Sequence, residues 1–227
     1  MFSGASNFVE STDTTFFFIV AVSVFFLLLI TVCMIYFVIR FSRKKNPKAS
    51  NIHGNIPLEI TWTVIPTALV LIMFWMGWSG YKKLADAPAD AMNIEVNAQM
   101  WRWTFQYPNG TSSDTLYVPV NKAVKVLLHS RDVNHSFFVP AFRVKKDVIP
   151  NRSNTAWFIA DKVGSYDLFC AEYCGMNHSH MLNKVVVLPQ NEFTAWLNRK
   201  ANPVATGSEQ TAEKDTTNIN KDTTRKL

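Results

Sequence analysis

Residues 170–181 read CAEYCGMNHSHM and bring two of the chain's three cysteines and two of its five histidines into twelve positions. Four chemistries could explain that crowding: a disulfide, a zinc clip, a thiol catalyst or a copper site. A Cys170–Cys174 disulfide, which an extracytoplasmic location permits, would account for the cysteines but leave His178 and Met181 without a role. Zinc accepts Cys and His, but a thioether is a poor ligand for it, and structural zinc sites are closed tetrahedra of Cys and His. Thiolate, thioether and imidazole together suit copper, and blue-copper sites combine two His, one Cys and a weak Met. This loop has one thiolate more than such a mononuclear site needs, so two thiolates could bridge two coppers. A further imidazole must then come from elsewhere. His135, in RDVNHSFFVP at the start of an expected strand, is the best candidate, whereas His129 sits within the strand pattern AVKVLLH and reads as structural.

The elements that must carry this loop are partly apolar spans. The chain has 227 residues, of which 48% are hydrophobic, more than a soluble domain of that size requires. The excess is localised. From Thr14 to Ile39 there is no charged residue, and a helix of that length crosses a hydrocarbon core of about 30 Å. Residues Ile60 to Tyr81 repeat the signal, with Pro66 expected to start or kink the second helix. A cleaved signal peptide fits poorly, because no basic residue precedes the first run and no small-residue cleavage site follows it. Arg40, Arg43, Lys44, Lys45 and Lys48 lie between the two runs with no acid before Glu59, and residues 1–39 contain no Lys or Arg. The positive-inside rule places that loop in the cytoplasm and everything after Tyr81 outside. The net charge of +6 is spread over loop, domain and tail and does not indicate a nucleic-acid partner.

From Asn93 the period becomes two: Ile94, Val96, Ala98 and Met100 alternate with Glu95, Asn97, Gln99 and Trp101, which is strand periodicity. Trp101 and Trp103 are expected to share a strand face. Pro108-Asn109-Gly110 signals a hairpin, and β-rich runs follow at DTLYVPV, AVKVLLH, HSFFV, NTAWFIA, SYDLFC and MLNKVVVL. Short strands at this spacing predict a β-sandwich or barrel, closed by a helix over about 191–200 with Phe193, Trp196 and Leu197 on one face. Residues 201–227 are polar and aperiodic and are expected to be disordered. They contain no C-x-x-C-H, so no c-type haem is expected there.

The motif C-x-E-x-C-G-x-x-H-x-x-M is met at every fixed position by Cys170, Glu172, Cys174, Gly175, His178 and Met181, and D-V-x-H-S is met by Asp132, Val133, His135 and Ser136. With FRVKKDVIPNR at 142–152, where Asn151 replaces the usual Gly, LEITWTVIP at 58–66 and WRWTFQY at 101–107, the chain resembles subunit two of haem-copper cytochrome c oxidases, which carries a dinuclear CuA centre. That resemblance implies a two-helix transmembrane hairpin followed by an extracytoplasmic all-β cupredoxin-like domain. The parts would be an outer segment 1–13, spans 14–39 and 59–81, a cytoplasmic loop 40–58, a CuA domain 91–200 and a tail 201–227. It further implies that Cys170 and Cys174 bridge two copper ions, that His135 and His178 each bind one, and that Met181 and the Glu172 carbonyl complete the set. The Glu172 side chain would help hold magnesium against the catalytic subunit. Trp101 would receive electrons from the donor, and Glu59 would lie near the mouth of a proton path.

The implied partners are a haem-copper catalytic subunit one, further oxidase subunits, membrane lipid and a c-type cytochrome donor. The expected place is a bacterial cytoplasmic membrane rather than a mitochondrial one, with the copper domain on the periplasmic side. Two alternatives remain: the CuA subunit of a nitric oxide reductase, and a membrane-anchored copper chaperone or thiol oxidoreductase. The chaperone is disfavoured by a Cys2His2Met set that reads as permanent. Residues 91–200 hold twelve Lys or Arg against eight Asp or Glu, and Asp114 is the one acid between Gln99 and Thr115. A basic donor would gain little steering, so the donor is expected to be acidic, to dock through apolar contact, or to be tethered or held in a supercomplex.

Overall fold

A segment that crosses hydrocarbon must satisfy its backbone internally, and the two charge-poor runs do so as helices. The computed structural model describes residues 4–48, 51 and 53–201. Helix α1 spans Val9–Arg40 and α2 spans Ile56–Ala85. At 32 residues, α1 is about 48 Å long, so it projects beyond the hydrocarbon. The side chain of Asn55 caps α2 by accepting from the Leu58 N–H, with Pro57 in the first turn. Pro66 neither starts nor ends α2, which runs through it. No residue of either helix is buried within the chain, which leaves their apolar faces for lipid or other helices. Apart from Ala201, the polar tail lies outside the described residues.

Beyond α2 the chain folds as two five-stranded sheets. The strands are β1 Met92–Gln99, β2 Arg102–Gln106, β3 Ser112–Ser113, β4 Leu116–Pro119, β5 Ala123–Ser130, β6 His135–Val139, β7 Val144–Val148, β8 Asn154–Ile159, β9 Gly164–Cys170 and β10 Leu182–Leu188. One sheet has the order β3-β2-β1-β5-β8 and the other β4-β10-β9-β6-β7. Period-two alternation buries Ile94, Val96 and Ala98 of β1 and Val124, Val126 and Leu128 of β5 against Phe137, Val139, Leu168, Val185 and Val187 of the opposite sheet. Helix α3, Gln190–Ala201, buries Phe193 and Trp196, and Trp196 stacks on Tyr117.

Two expectations fail at the end of β1. The alternation stops at Gln99, so Met100 is exposed rather than inward, and Trp101 sits in the connection to β2 rather than on a strand face with buried Trp103. Strand β7 was not foreseen. Its sequence VKKDV buries only its two valines, and its pairing with β6 identifies it.

Residues 4–8 form a strap along β8, the edge strand of the first sheet. The Asn7 N–H donates to the Ile159 carbonyl, the Ile159 N–H donates to Asn7 Oδ1, and Ser6 pairs antiparallel with Ala160. The Ala5 N–H donates to the Ala141 carbonyl, and Phe8 meets Trp157 edge-on at 4.9 Å. The strap thereby covers an otherwise open sheet edge. Next to it Arg143, at φ +57°, adopts a left-handed backbone that costs a non-glycine residue about 1 kcal/mol. Its guanidinium donates to both carboxylate oxygens of Asp13 in α1, at 2.7 and 3.0 Å. The indole of Trp157 donates to the Lys83 carbonyl of α2.

Because Phe8 is buried, Phe8→Ala should lower the stability of the full chain in detergent by about 3 kcal/mol. Denaturation followed by tryptophan fluorescence would register this as a lower midpoint. An unchanged midpoint would show that the strap only lies on the sheet.

Candidate metal centre

The second sheet explains how distant residues meet. Strands β9 and β10 form a hairpin, with Leu182 opposite Phe169, and the loop between them carries Glu172, Cys174, His178 and Met181. Cys170 ends β9, and its N–H donates to the Met181 carbonyl, which closes the base of the loop. Strand β6 lies antiparallel on the other side of β9, with Phe137 opposite Cys170. His135 therefore stands two residues past that pair, over the loop. The Ala171 N–H donates to the Ser136 carbonyl, and His178 and Met181 turn back through bonds to Gly175 and His178.

Five soft or imidazole donors converge. Cys170 Sγ and Cys174 Sγ lie 3.8 Å apart, with His135 Nδ1 3.7 Å from the first and His178 Nδ1 3.5 Å from the second. Met181 Sδ is 3.8 Å from Cys174 Sγ, and the Glu172 carbonyl is 3.3 Å from Cys170 Sγ. His135, Cys170, Cys174 and Met181 are buried, while His178 is partly open. Both cysteines are free, and a sulfur separation of this size excludes a disulfide in this conformation. Each sulfur has its own imidazole, and the sulfurs face one another. That donor set fits two soft metal ions and does not suit calcium or magnesium, which take oxygen ligands.

Electrostatics prepare the site for metal. Burial alone would raise the Cys170 thiol, but the His135 imidazole, backbone contacts at Glu172 and Ser136 and, least, the Cys174 thiol bring it down to about 6. Burial and the charge on Cys170 push Cys174 up to about 12. Burial would lower His135, but Cys170 and the Asp132 carboxylate raise it overall. Both thiols must give up their protons to hold a metal, so binding will weaken as pH falls.

Trp101, half-buried, lies beside this group. Its indole N–H donates to the Cys174 carbonyl at 3.2 Å, and its ring covers Gly175. Gly175 has φ +114°, a backbone that favours glycine, and a Cβ there would meet the Trp101 ring at 3.3 Å, so the ring would have to give by a few tenths of an ångström. The Glu172 side chain is exposed, and among the described residues it joins no group of three or more potential metal ligands. Glu59 is not brought to the centre. It lies in the first turn of α2, about 40 Å along the helix axis from the end that leads into the sandwich, where its Oε1 accepts from the Asn55 N–H. His129 pairs with Ser153 at the end of β5 and stays outside the site.

Asp132, which the sequence offers within D-V-x-H-S and as a further possible donor contact, has closer partners in the fold. Asp132 Oδ1 lies 2.8 Å from His135 Nε2, and Asp132 Oδ2 accepts from the Met100 N–H. The spacing D-x-x-H was its available signal.

The family model described as cytochrome c oxidase subunit II, periplasmic domain, matches residues 111–188, and that described as its transmembrane domain matches residues 1–76. Cytochrome c oxidase subunit 2 of Alkalihalophilus pseudofirmus is 36% identical over 191 residues, covering 79% of this chain and 56% of that protein. This chain thus spans little more than half the length of that relative. Alternative cytochrome c oxidase subunit 2 of Bradyrhizobium diazoefficiens is 32% identical over 200 residues, 74% of this chain and 72% of that one. Among solved structures, the periplasmic domain of subunit II of cytochrome oxidase of Bradyrhizobium japonicum matches with a TM-score of 0.50 at 30% identity, over 53% of this chain and 100% of that domain.

Proposed function

We propose that this chain, which belongs to the cytochrome c oxidase subunit II family, is the electron-transfer subunit of a respiratory haem-copper oxygen reductase. One observation carries the reading: two free thiols, two imidazoles and a thioether converge, with one imidazole at each of two facing sulfurs. Cys170, Cys174, His135, His178, Met181 and the Glu172 carbonyl would together hold two copper ions. Such a copper pair would supply single-electron redox chemistry, linking a c-type cytochrome donor to haem in catalytic subunit one.

The chain's own residues serve that exchange by staying still. His135 and Cys170 sit on β6 and β9, and the other ligands lie in a loop closed by backbone bonds, which leaves the set little room to relax with each change of charge. Trp101 receives electrons from the donor. Met100, Val133, Tyr173 and Met176 are exposed apolar side chains, which supports docking through apolar contact and agrees with the weak acidity of this face. The Glu172 carboxylate would contribute to a magnesium site whose remaining ligands come from the catalytic subunit, and Glu59 would stand at a proton-path mouth. Residues 14–39 and 59–81 would cross a bacterial cytoplasmic membrane, with 40–58 inside and 91–200 in the periplasm.

The test uses the full chain, purified in detergent and loaded with excess copper. Two coppers per chain are expected, with a paramagnetic spectrum showing one electron shared over both. One copper per chain, or a preference for zinc under copper excess, would overturn the assignment.

A further inference from the structure

The structure assigns Asp132 a positioning role: its carboxylate fixes the His135 imidazole and the turn bearing Trp101 in one relation, and only an acceptor-only side chain can do so. The inference rests on the proposed copper centre, with His135 as a ligand through Nδ1.

Asp132 lies in the short connection from β5 to β6, and three N–H groups from two segments meet its carboxylate. Oδ1 accepts from the Val133 N–H at 2.7 Å and lies 2.8 Å from His135 Nε2, while Oδ2 accepts from the Met100 N–H at 2.6 Å. The connection is held in turn by its own bonds: the Asp132 N–H donates to Ser130 Oγ, Ser130 Oγ donates to the Val133 carbonyl, and the Arg131 N–H donates to the Ala98 carbonyl. A carboxylate at His135 Nε2 requires a proton there, which leaves Nδ1 as the lone-pair nitrogen facing Cys170 Sγ.

The second oxygen extends the control. Met100 precedes Trp101, whose indole donates to the Cys174 carbonyl, and Cys174 Sγ faces Cys170 Sγ. A closed circuit therefore runs from Asp132 through the Trp101 turn to one thiolate, across to the other, and through His135 back to Asp132. An amide cannot close it. With its oxygen toward His135 and Val133, Asn would press its NH2 against the Met100 N–H. Flipped, it would oppose the Val133 N–H and donate to His135 Nε2, forcing the proton onto the nitrogen that must bind metal.

Copper-loaded full chain in detergent provides the test, with Asp132→Asn and Asp132→Glu beside the unaltered chain. Copper content, nitrogen hyperfine coupling and midpoint potential are measured without any donor present, and KM and kcat with a reduced c-type cytochrome. Asp132→Asn is expected to change the coupling of one imidazole and to raise the potential, since a negative charge behind a ligand is lost, or else to load less copper. Asp132→Glu, still acceptor-only, should recover most of the loading and hyperfine pattern. If Asp132→Asn keeps the unaltered chain's copper content, coupling and potential and moves only KM, Asp132 is a donor-docking acid and the inference is wrong. It is equally wrong if both variants fail to load. Failure of the unaltered chain to hold two coppers would instead reject the copper reading itself.

Discussion

Cys174→Ser is expected to lower copper content from two ions per chain to one or none, erase the shared-electron spectrum and reduce electron uptake from a c-type cytochrome to background. Cys174 is the hub of the donor set: its sulfur meets Cys170, His178 and Met181 within 3.8 Å. A serine hydroxyl keeps its proton at neutral pH and is a hard donor with a shorter reach, so it cannot replace a thiolate between two soft ions. The β-sandwich itself should survive, because the loop is closed by backbone bonds at Cys170, His178 and Met181 that do not involve the Cys174 side chain. Metal analysis and electron paramagnetic resonance of the purified chain read the outcome. Cys33→Ser, in α1, serves as a control that should change nothing. Two coppers and a shared electron in Cys174→Ser would rule out a bridging role for this thiolate.

Trp101→Phe should separate electron uptake from metal binding. The ring packs over Gly175, and a phenyl group can retain part of that contact, but the bond from the indole N–H to the Cys174 carbonyl is lost. Copper content should stay at two while the bimolecular rate from reduced cytochrome falls on the order of 10²-fold, the scale of loss when a reacting group is misplaced by about an ångström. Stopped-flow mixing measures that rate, and photochemical injection of an electron straight into the centre tests whether onward transfer is intact. A variant rate equal to that of the unaltered chain would remove Trp101 from the route and leave it as packing.

The metal loop was legible because its residue types are chemically unusual and close in sequence. Cys170, Cys174, His178 and Met181 needed no fold to suggest copper, and His135 needed only the recognition that a strand starts there. The sandwich was legible where one face is buried, since alternation in β1 and β5 follows directly from burial of every second residue. It was illegible where burial is incomplete. Strand β7 carries Lys145, Lys146 and Asp147 between its valines, and the phase of β1 gave no warning that the chain would turn at Met100. The role of Asp132 within D-V-x-H-S was not legible, because a carboxylate's partners are chosen in space, here from residues 3 and 32 positions away. Glu59 shows the opposite ambiguity, since its observed bond to the Asn55 backbone is what any acid in a first helical turn can make.

The strap was invisible for a further reason. Gly4 to Phe8 has no periodicity, and its partners lie between positions 141 and 162. Yet both membrane helices reach the same edge of the sandwich, α1 through the strap and the Asp13–Arg143 pair, and α2 through the bond from Trp157 to Lys83. A domain on a single leash could swivel about the membrane normal, and the separation between its redox centre and an acceptor embedded in the bilayer would vary with every turn. Two tethers converging on one strand remove that rotational freedom. For the proposed electron transfer, the tunnelling distance would then be set by the architecture, inherited from the hairpin rather than renegotiated at each encounter.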